Sequence, residues 1–207
     1  MAGLLFIPAG GFGYWQAWVF LAVYTASTLA LTLYLAARNP ALLARRMRGG
    51  PTAEKQPAQK LIMLLASIAF IGVVTLPAFD HRFGWSQMAP LVALAGDVLI
   101  LLGWIVIFFV FKANSFAAST VELAPEQTVV STGPYGFVRH PMYAGGLLVM
   151  LGTPIALGSW WGLLFAGAAI PVLVWRLIEE EKFLAENLPG YRGYQQKLRY
   201  RLIPGLW

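Results

Sequence analysis

A chain of 207 residues that is 58% hydrophobic and only 12% charged, with a mean hydropathy of +0.66, falls outside the range of soluble domains, which run at roughly 45–50% apolar and 25% charged. It reads as an integral membrane protein in a single domain, residues 1–207. The lack of cysteine excludes disulfides, thiolate metal sites and a cysteine nucleophile, and two distant histidines, His81 and His140, argue against a histidine metal site.

Met1 to Gly13 is short, Gly-rich and uncharged apart from the terminus. The uncharged run over 14–37 is long enough to cross a hydrocarbon core of roughly 30 Å as a helix, and Arg38 closes it. No basic segment precedes this run, so it reads as a retained anchor and not a cleaved signal. From Arg38 to Lys60 six basic residues stand against a single acid, Glu54, and Gly49, Gly50 and Pro51 interrupt any helix. This is the pattern of a basic surface loop that orients the chain in the membrane, with attraction to anionic headgroups as the sharper alternative.

Apolar runs over 61–79 and 88–111 predict the second and third membrane helices, joined by a near-neutral turn containing Asp80, His81, Arg82 and Gly84. Asp97 falls inside the third helix, where a carboxylate is a structural hydrogen-bonding group or touches a ligand. The polar stretch 113–143 follows. Two runs of about 15 residues, 144–157 and 161–175, then form a short hairpin around Gly158-Ser159-Trp160. The expectation is an all-α polytopic bundle of about five membrane helices. Beyond it, 176–207 begins as a charged amphipathic helix, breaks at Pro189-Gly190 and ends as a basic aromatic interfacial segment. If the 38–60 loop is cytoplasmic, every Lys and Arg except Arg82 shares that side, with the N-terminus outside and the C-terminus inside.

Two polar knots then carry the chemistry. Gly133 to Gly146 places Arg139, His140, Tyr135 and Tyr143 between Pro134 and Pro141, with Gly133, Gly136, Gly145 and Gly146 permitting close backbone approach to a ligand. A planar guanidinium, an imidazole and two phenols suit a zwitterion bearing an aromatic base; no P-loop is present for a polyphosphate. In the second knot, Arg176 and Glu180 are four residues apart and share a helix face, so that they either pair with each other or receive opposite charges of a ligand.

Gly133-Pro134-Tyr135, Arg139-His140-Pro141-x-Tyr143, Arg176-x-x-x-Glu180-Glu181-x-x-Leu184, Gly190-Tyr191-x-x-Tyr194 and Arg201-Leu202-Ile203-Pro204 together resemble the isoprenylcysteine carboxyl methyltransferase family. Its superfamily includes phospholipid N-methyltransferases and related bacterial membrane methyltransferases. The resemblance runs from about Asn114 to the C-terminus, and it implies a prokaryotic-type membrane enzyme that transfers a methyl group from S-adenosylmethionine and releases S-adenosylhomocysteine. Carried over by residue, it implies a cofactor held by Gln127, Thr128, Val129, Val130, Tyr135, His140, Pro141, Met142 and Tyr143, with Glu180 at the cofactor's ammonium. Arg139 and Glu181 complete the cofactor-binding candidates, and a further polar contact falls at Ser119 or Thr120. Arg176 matches the acceptor side, as the catalytic candidate.

The acceptor implied is amphipathic or lipid-like: an isoprenylcysteine-type carboxylate, with a phospholipid amine or a thiol as alternatives. Membrane lipids are the expected surroundings; nucleic acid, metal and an obligate protein partner are not expected. The more distant alternative is an NADPH-dependent reductase related to the sterol reductases, whose extra phosphate calls for more cationic residues than Arg139 alone.

Overall fold

The computed structural model describes residues 1–207 and contains eight α-helices and no strands: α1 (Ala2–Ala9), α2 (Trp15–Arg38), α3 (Pro40–Met47), α4 (Pro57–Phe83), α5 (Pro90–Ala113), α6 (Pro141–Ala156), α7 (Trp160–Asn187) and α8 (Tyr191–Lys197). Proline opens α3, α4, α5 and α6, where its missing N–H costs nothing and its fixed φ starts the helix. Helices α2, α4, α5 and α7 are each long and apolar enough to cross a membrane. The fourth predicted crossing, α6, has 16 residues, about 24 Å at roughly 1.5 Å per residue. It is the short member of the bundle.

Small residues allow α6 to lie directly against α5. A Cβ on Gly103 would stand 2.6 Å from the Gly145 carbonyl oxygen, and one on Gly152 would stand 2.9 Å from that of Gly96. In lipid, where apolar burial gives helices little reason to associate, such backbone proximity is what holds a pair together. Gly145 therefore serves helix packing and not ligand approach. Gly146, with nothing within 4 Å of its would-be Cβ, keeps its open space.

The structure departs from the sequence reading in three places. The 38–60 segment is not all loop: Asn39 caps α3, its side chain accepting from Leu42 N, and Pro40 follows at the first position. The residues Asp80 to Phe83, read as a turn, are the last turn of α4, which ends at Gly84 with φ 63°. The hairpin's second arm and the charged helix after it are one continuous helix, α7, because nothing between Trp175 and Asn187 breaks it. Its end at Leu188 agrees with the predicted break at Pro189-Gly190, where Gly190 takes φ 84°.

The two ends of the bundle differ. At the far end, Asp80 accepts from Ser86 N at 2.7 Å, from Ser86 Oγ at 2.5 Å and from Ser159 Oγ at 2.5 Å, tying the α4–α5 and α6–α7 turns together. The Tyr14 hydroxyl bonds the Leu157 carbonyl beside it, and the Tyr14 ring stacks on His81. At the other end gather α3, the start of α4, the 114–140 segment, the last turns of α7, and α8.

Candidate active site

The site end is assembled by three segments that are remote in sequence. The first is the 114–140 segment, which leaves α5 at Asn114. Asn114 Oδ1 accepts from Phe116 N at 2.8 Å and its Nδ2 donates to the Tyr135 hydroxyl at 2.9 Å, folding the segment back on itself. Burial pushes the Tyr135 hydroxyl up to about 12, the Asn114 bond opposing it, so the phenol stays neutral. The second segment is the charged part of α7. The third is α8, where Tyr194 donates to the Tyr135 carbonyl at 2.7 Å; burial likewise raises Tyr191 and Tyr194.

Between these segments lies a cleft of about 100 Å³. Its walls include Gln127, Thr128, Val129, Val130, Tyr135, Arg139, His140, Met142, Tyr143 and Glu180 from the predicted set. Thr120 lines the cleft. Ser119 instead faces α3, its Oγ donating to the Arg46 carbonyl at 2.7 Å. Asn114, Phe116, Glu122, Leu184, Tyr191 and Tyr194 also line the cleft without having been predicted; for Leu184 and the two tyrosines the signal was present in the Glu180-Glu181-x-x-Leu184 and Gly190-Tyr191-x-x-Tyr194 patterns.

Three predicted residues stand outside the cleft wall. Pro141 is the buried first residue of α6. Glu181 lies beneath the cleft at the centre of an ion cluster, with Arg139 Nε at 2.7 Å, Arg201 Nε at 3.0 Å and His140 Nε2 at 3.1 Å. Arg139 completes its own coordination on the Leu198 and Arg199 carbonyls, while the backbone N–H groups of Arg139 and His140 donate to Tyr200 and Arg201. The closing segment is thereby strapped to the start of α6. The third residue, Arg176, lines a different cavity.

That second cavity, about 330 Å³, is apolar and lies inside the bundle among α2, α4, α5, α6 and α7. It follows α6 from Tyr143 to Thr153, about 15 Å at the helical rise of roughly 1.5 Å per residue. Arg176 stands at its polar end. Its Nη1 donates to Gln59 Oε1 at 2.8 Å; its Nη2 donates to Glu54 Oε1 at 2.9 Å and to the Ser119 carbonyl at 2.8 Å. The helical pairing of Arg176 with Glu180 that the sequence allowed is not formed: Glu180 Oε2 instead accepts the hydroxyl of Tyr143. Asp97 is buried in α5 but lines neither cavity.

The sequence reading missed Glu54, Gln59 and Arg46. Glu54 was the lone acid in a basic run, yet its side chain is 1% exposed, and its second oxygen accepts from Val121 N at 3.2 Å. Arg46 donates to the Ala118 carbonyl at 2.8 Å and lies over the Phe111 ring; burial lowers its pKa. Together with Arg45, which bonds the Ser115 carbonyl, these residues fasten α3 and the following loop to the outer wall of the cleft. Only the Asn39-Pro40 cap signal marked α3 in the sequence, and nothing local marked Glu54.

The cleft's chemistry is that of a cation or zwitterion site. Glu122 and Glu180 line it, while its one basic side chain, Arg139, has Nε and Nη1 committed elsewhere. The Tyr191 hydroxyl, buried in the cleft wall, has no protein partner. A buried polar atom left unpaired beside a cleft is a place for a ligand atom. A sulfonium with an ammonium and a nucleoside fits this set, whereas the phosphates of a dinucleotide would meet two carboxylates.

A comparison with curated proteins finds no match. The family model of the phospholipid methyltransferases matches residues 91–189, which comprise nearly all of α5, the cleft-forming segment, α6 and α7. Through that segment, just under half of the chain, the protein is similar to the isoprenylcysteine and phospholipid methyltransferase superfamily of membrane proteins.

Proposed function

We propose that the protein transfers a methyl group from S-adenosylmethionine, bound in the polar cleft, to a lipophilic acceptor whose tail occupies the apolar cavity. The observation that carries this reading is the meeting of two unlike cavities at one residue: Tyr143 lines both, and no other residue does. A water-soluble donor and a membrane-soluble acceptor need separate entrances and one shared wall. The family-model match over residues 91–189 supports methyl transfer, and the acidic, tyrosine-rich cleft supports the sulfonium donor over NADPH.

S-adenosylmethionine supplies an already activated methyl group, so the protein's task is alignment and exclusion of water. Tyr135, Tyr191 and the 127–130 backbone form the walls available to a nucleoside, and Glu180 Oε1, which has no hydrogen-bond partner in the protein, is the oxygen free for an ammonium. In the apolar cavity the indole Nε1–H of Trp104 is buried without a partner, a donor for a polar group along the acceptor's tail. The cavity's single 15 Å run along α6 favours one tail over the two of a diacyl phospholipid. The concentration of Lys and Arg at the site end, with only Arg82 at the other, favours a cytoplasmic cleft with the N-terminus outside.

Glu180→Gln tests the cleft assignment. A charge-assisted contact is worth roughly 1.5–3 kcal/mol, so calorimetry with S-adenosylhomocysteine should register a loss of about 10- to 100-fold in affinity with the thermal transition unchanged. Retained affinity in a folded variant removes Glu180 from the site.

A further inference from the structure

Building on that reading, we propose that Tyr143 is a catalytic residue that accepts a proton from the acceptor, with Glu180 behind it, and that the acceptor is therefore a protic nucleophile, an amine, hydroxyl or thiol on a single apolar tail, and not a carboxylate.

Three observations carry this. Tyr143 stands where the reacting atoms must meet, as the one residue common to the walls of both cavities. Its hydroxyl proton is already directed to Glu180 Oε2, which leaves the phenolic oxygen as an acceptor facing that junction. Arg176, the group that would otherwise clamp an anionic head, is committed. Both N–H groups of its Nη2 are taken by Glu54 and Ser119, one on Nη1 by Gln59, and its charge is matched by the buried Glu54. Either two-point grip of a guanidinium on a carboxylate uses Nη2, so no fork remains for an acceptor carboxylate. Arg176 is on this account a positioning residue, held beside Tyr143 by Glu54.

The step balances without any further reactant. The lone pair on the acceptor atom X forms the new bond to the methyl carbon, and the carbon–sulfur bond breaks with its pair retained on sulfur. The proton on X passes to Tyr143 Oη as the tyrosine's own proton passes to Glu180. A carboxylate acceptor carries no such proton and would leave the Tyr143–Glu180 pair without a task. The charged and titratable groups that face the pair are Arg176, backed by Glu54, Arg46 from α3, Tyr135 and His140 from the cleft wall, and Tyr191 from α8.

The test uses the full chain in detergent or nanodiscs, with four acceptors that share one dodecyl-length tail and differ in the head: dodecylamine, 4-dodecylphenol, dodecanethiol and dodecanoate. Methyl transfer is followed alongside calorimetric binding of S-adenosylhomocysteine. The expectation is transfer to at least one protic head and none to dodecanoate. Tyr143→Phe should lower kcat by at least about 100-fold, the scale of acid–base assistance, with affinity for S-adenosylhomocysteine within about threefold of wild type. With dodecanethiol the defect should shrink as pH rises through the thiol's own pKa, because a preformed thiolate brings no proton; damage to packing would not recover in this way. Glu180→Gln, assayed at saturating donor, should show the same recovery, which keeps the test open if Tyr143→Phe folds poorly. Methylation of dodecanoate, no transfer to any protic head, or a Tyr143→Phe rate within about threefold of wild type would overturn the inference while leaving the donor assignment standing. Failure of the folded wild type to bind S-adenosylhomocysteine would instead remove the reading on which it rests.

Discussion

Each end of this bundle buries carboxylates, and the two ends treat them differently. At the far end Asp80 is enclosed by two serine hydroxyls and a backbone N–H, and the neighbouring Tyr14 hydroxyl ends on a carbonyl; these groups are satisfied by one another and hold two turns. At the site end Glu54 and Glu181 are saturated in the same way, yet beside them the Tyr191 hydroxyl has no partner and Glu180 uses only one oxygen. Closed polar clusters hold the fold; clusters with unused hydrogen-bonding capacity at a cavity wall mark where a ligand completes them.

The sharpest way to break this comparison is Glu54→Ala, which strips the buried Arg176 of its counter-charge and Val121 N of its acceptor. Loss of one partner of a buried pair costs roughly 3–5 kcal/mol, and denaturation of the purified variant should show a loss of that size; a change below about 1 kcal/mol would mean that the pair does not organise the site end. Next comes Asp80→Ala, which leaves buried donors unpaired at roughly 1–3 kcal/mol. Its thermal transition should fall while the protein still folded keeps wild-type affinity for S-adenosylhomocysteine. Reduced affinity would show that the ends are not independent. The smallest effect is expected for Tyr191→Phe, with thermal stability of the unliganded protein unchanged. Affinity for S-adenosylhomocysteine should drop about 3- to 10-fold, the worth of one hydrogen bond of roughly 0.5–1.5 kcal/mol; a destabilised protein with unaltered affinity would assign Tyr191 to the closed class.

What the sequence made legible follows the same division. Long uncharged runs declare membrane helices because lipid demands length and apolarity in one continuous stretch, so α2, α4 and α5 are recognisable within a few residues of their ends. The extent of α7 was hidden because the change from apolar to charged at Arg176 reads as a boundary, while the backbone has no reason to stop until Leu188. Ten of the predicted cofactor residues line one cleft, nine of them from the single stretch 127–143 and Glu180 from α7. Glu54 was illegible because its burial is created by partners 67 and 122 positions away. Gly145 could be seen to permit close approach, but whether it approaches a ligand or Gly103 depends on α5.

The central claim is that the polar cleft holds S-adenosylmethionine, and isothermal titration of the detergent-purified protein with S-adenosylhomocysteine, with NADPH as the control, tests it most directly. The account predicts saturable binding of S-adenosylhomocysteine and none of NADPH. Binding of NADPH alone to folded protein would contradict it, and with it the roles given to Glu180, Tyr191 and Tyr143.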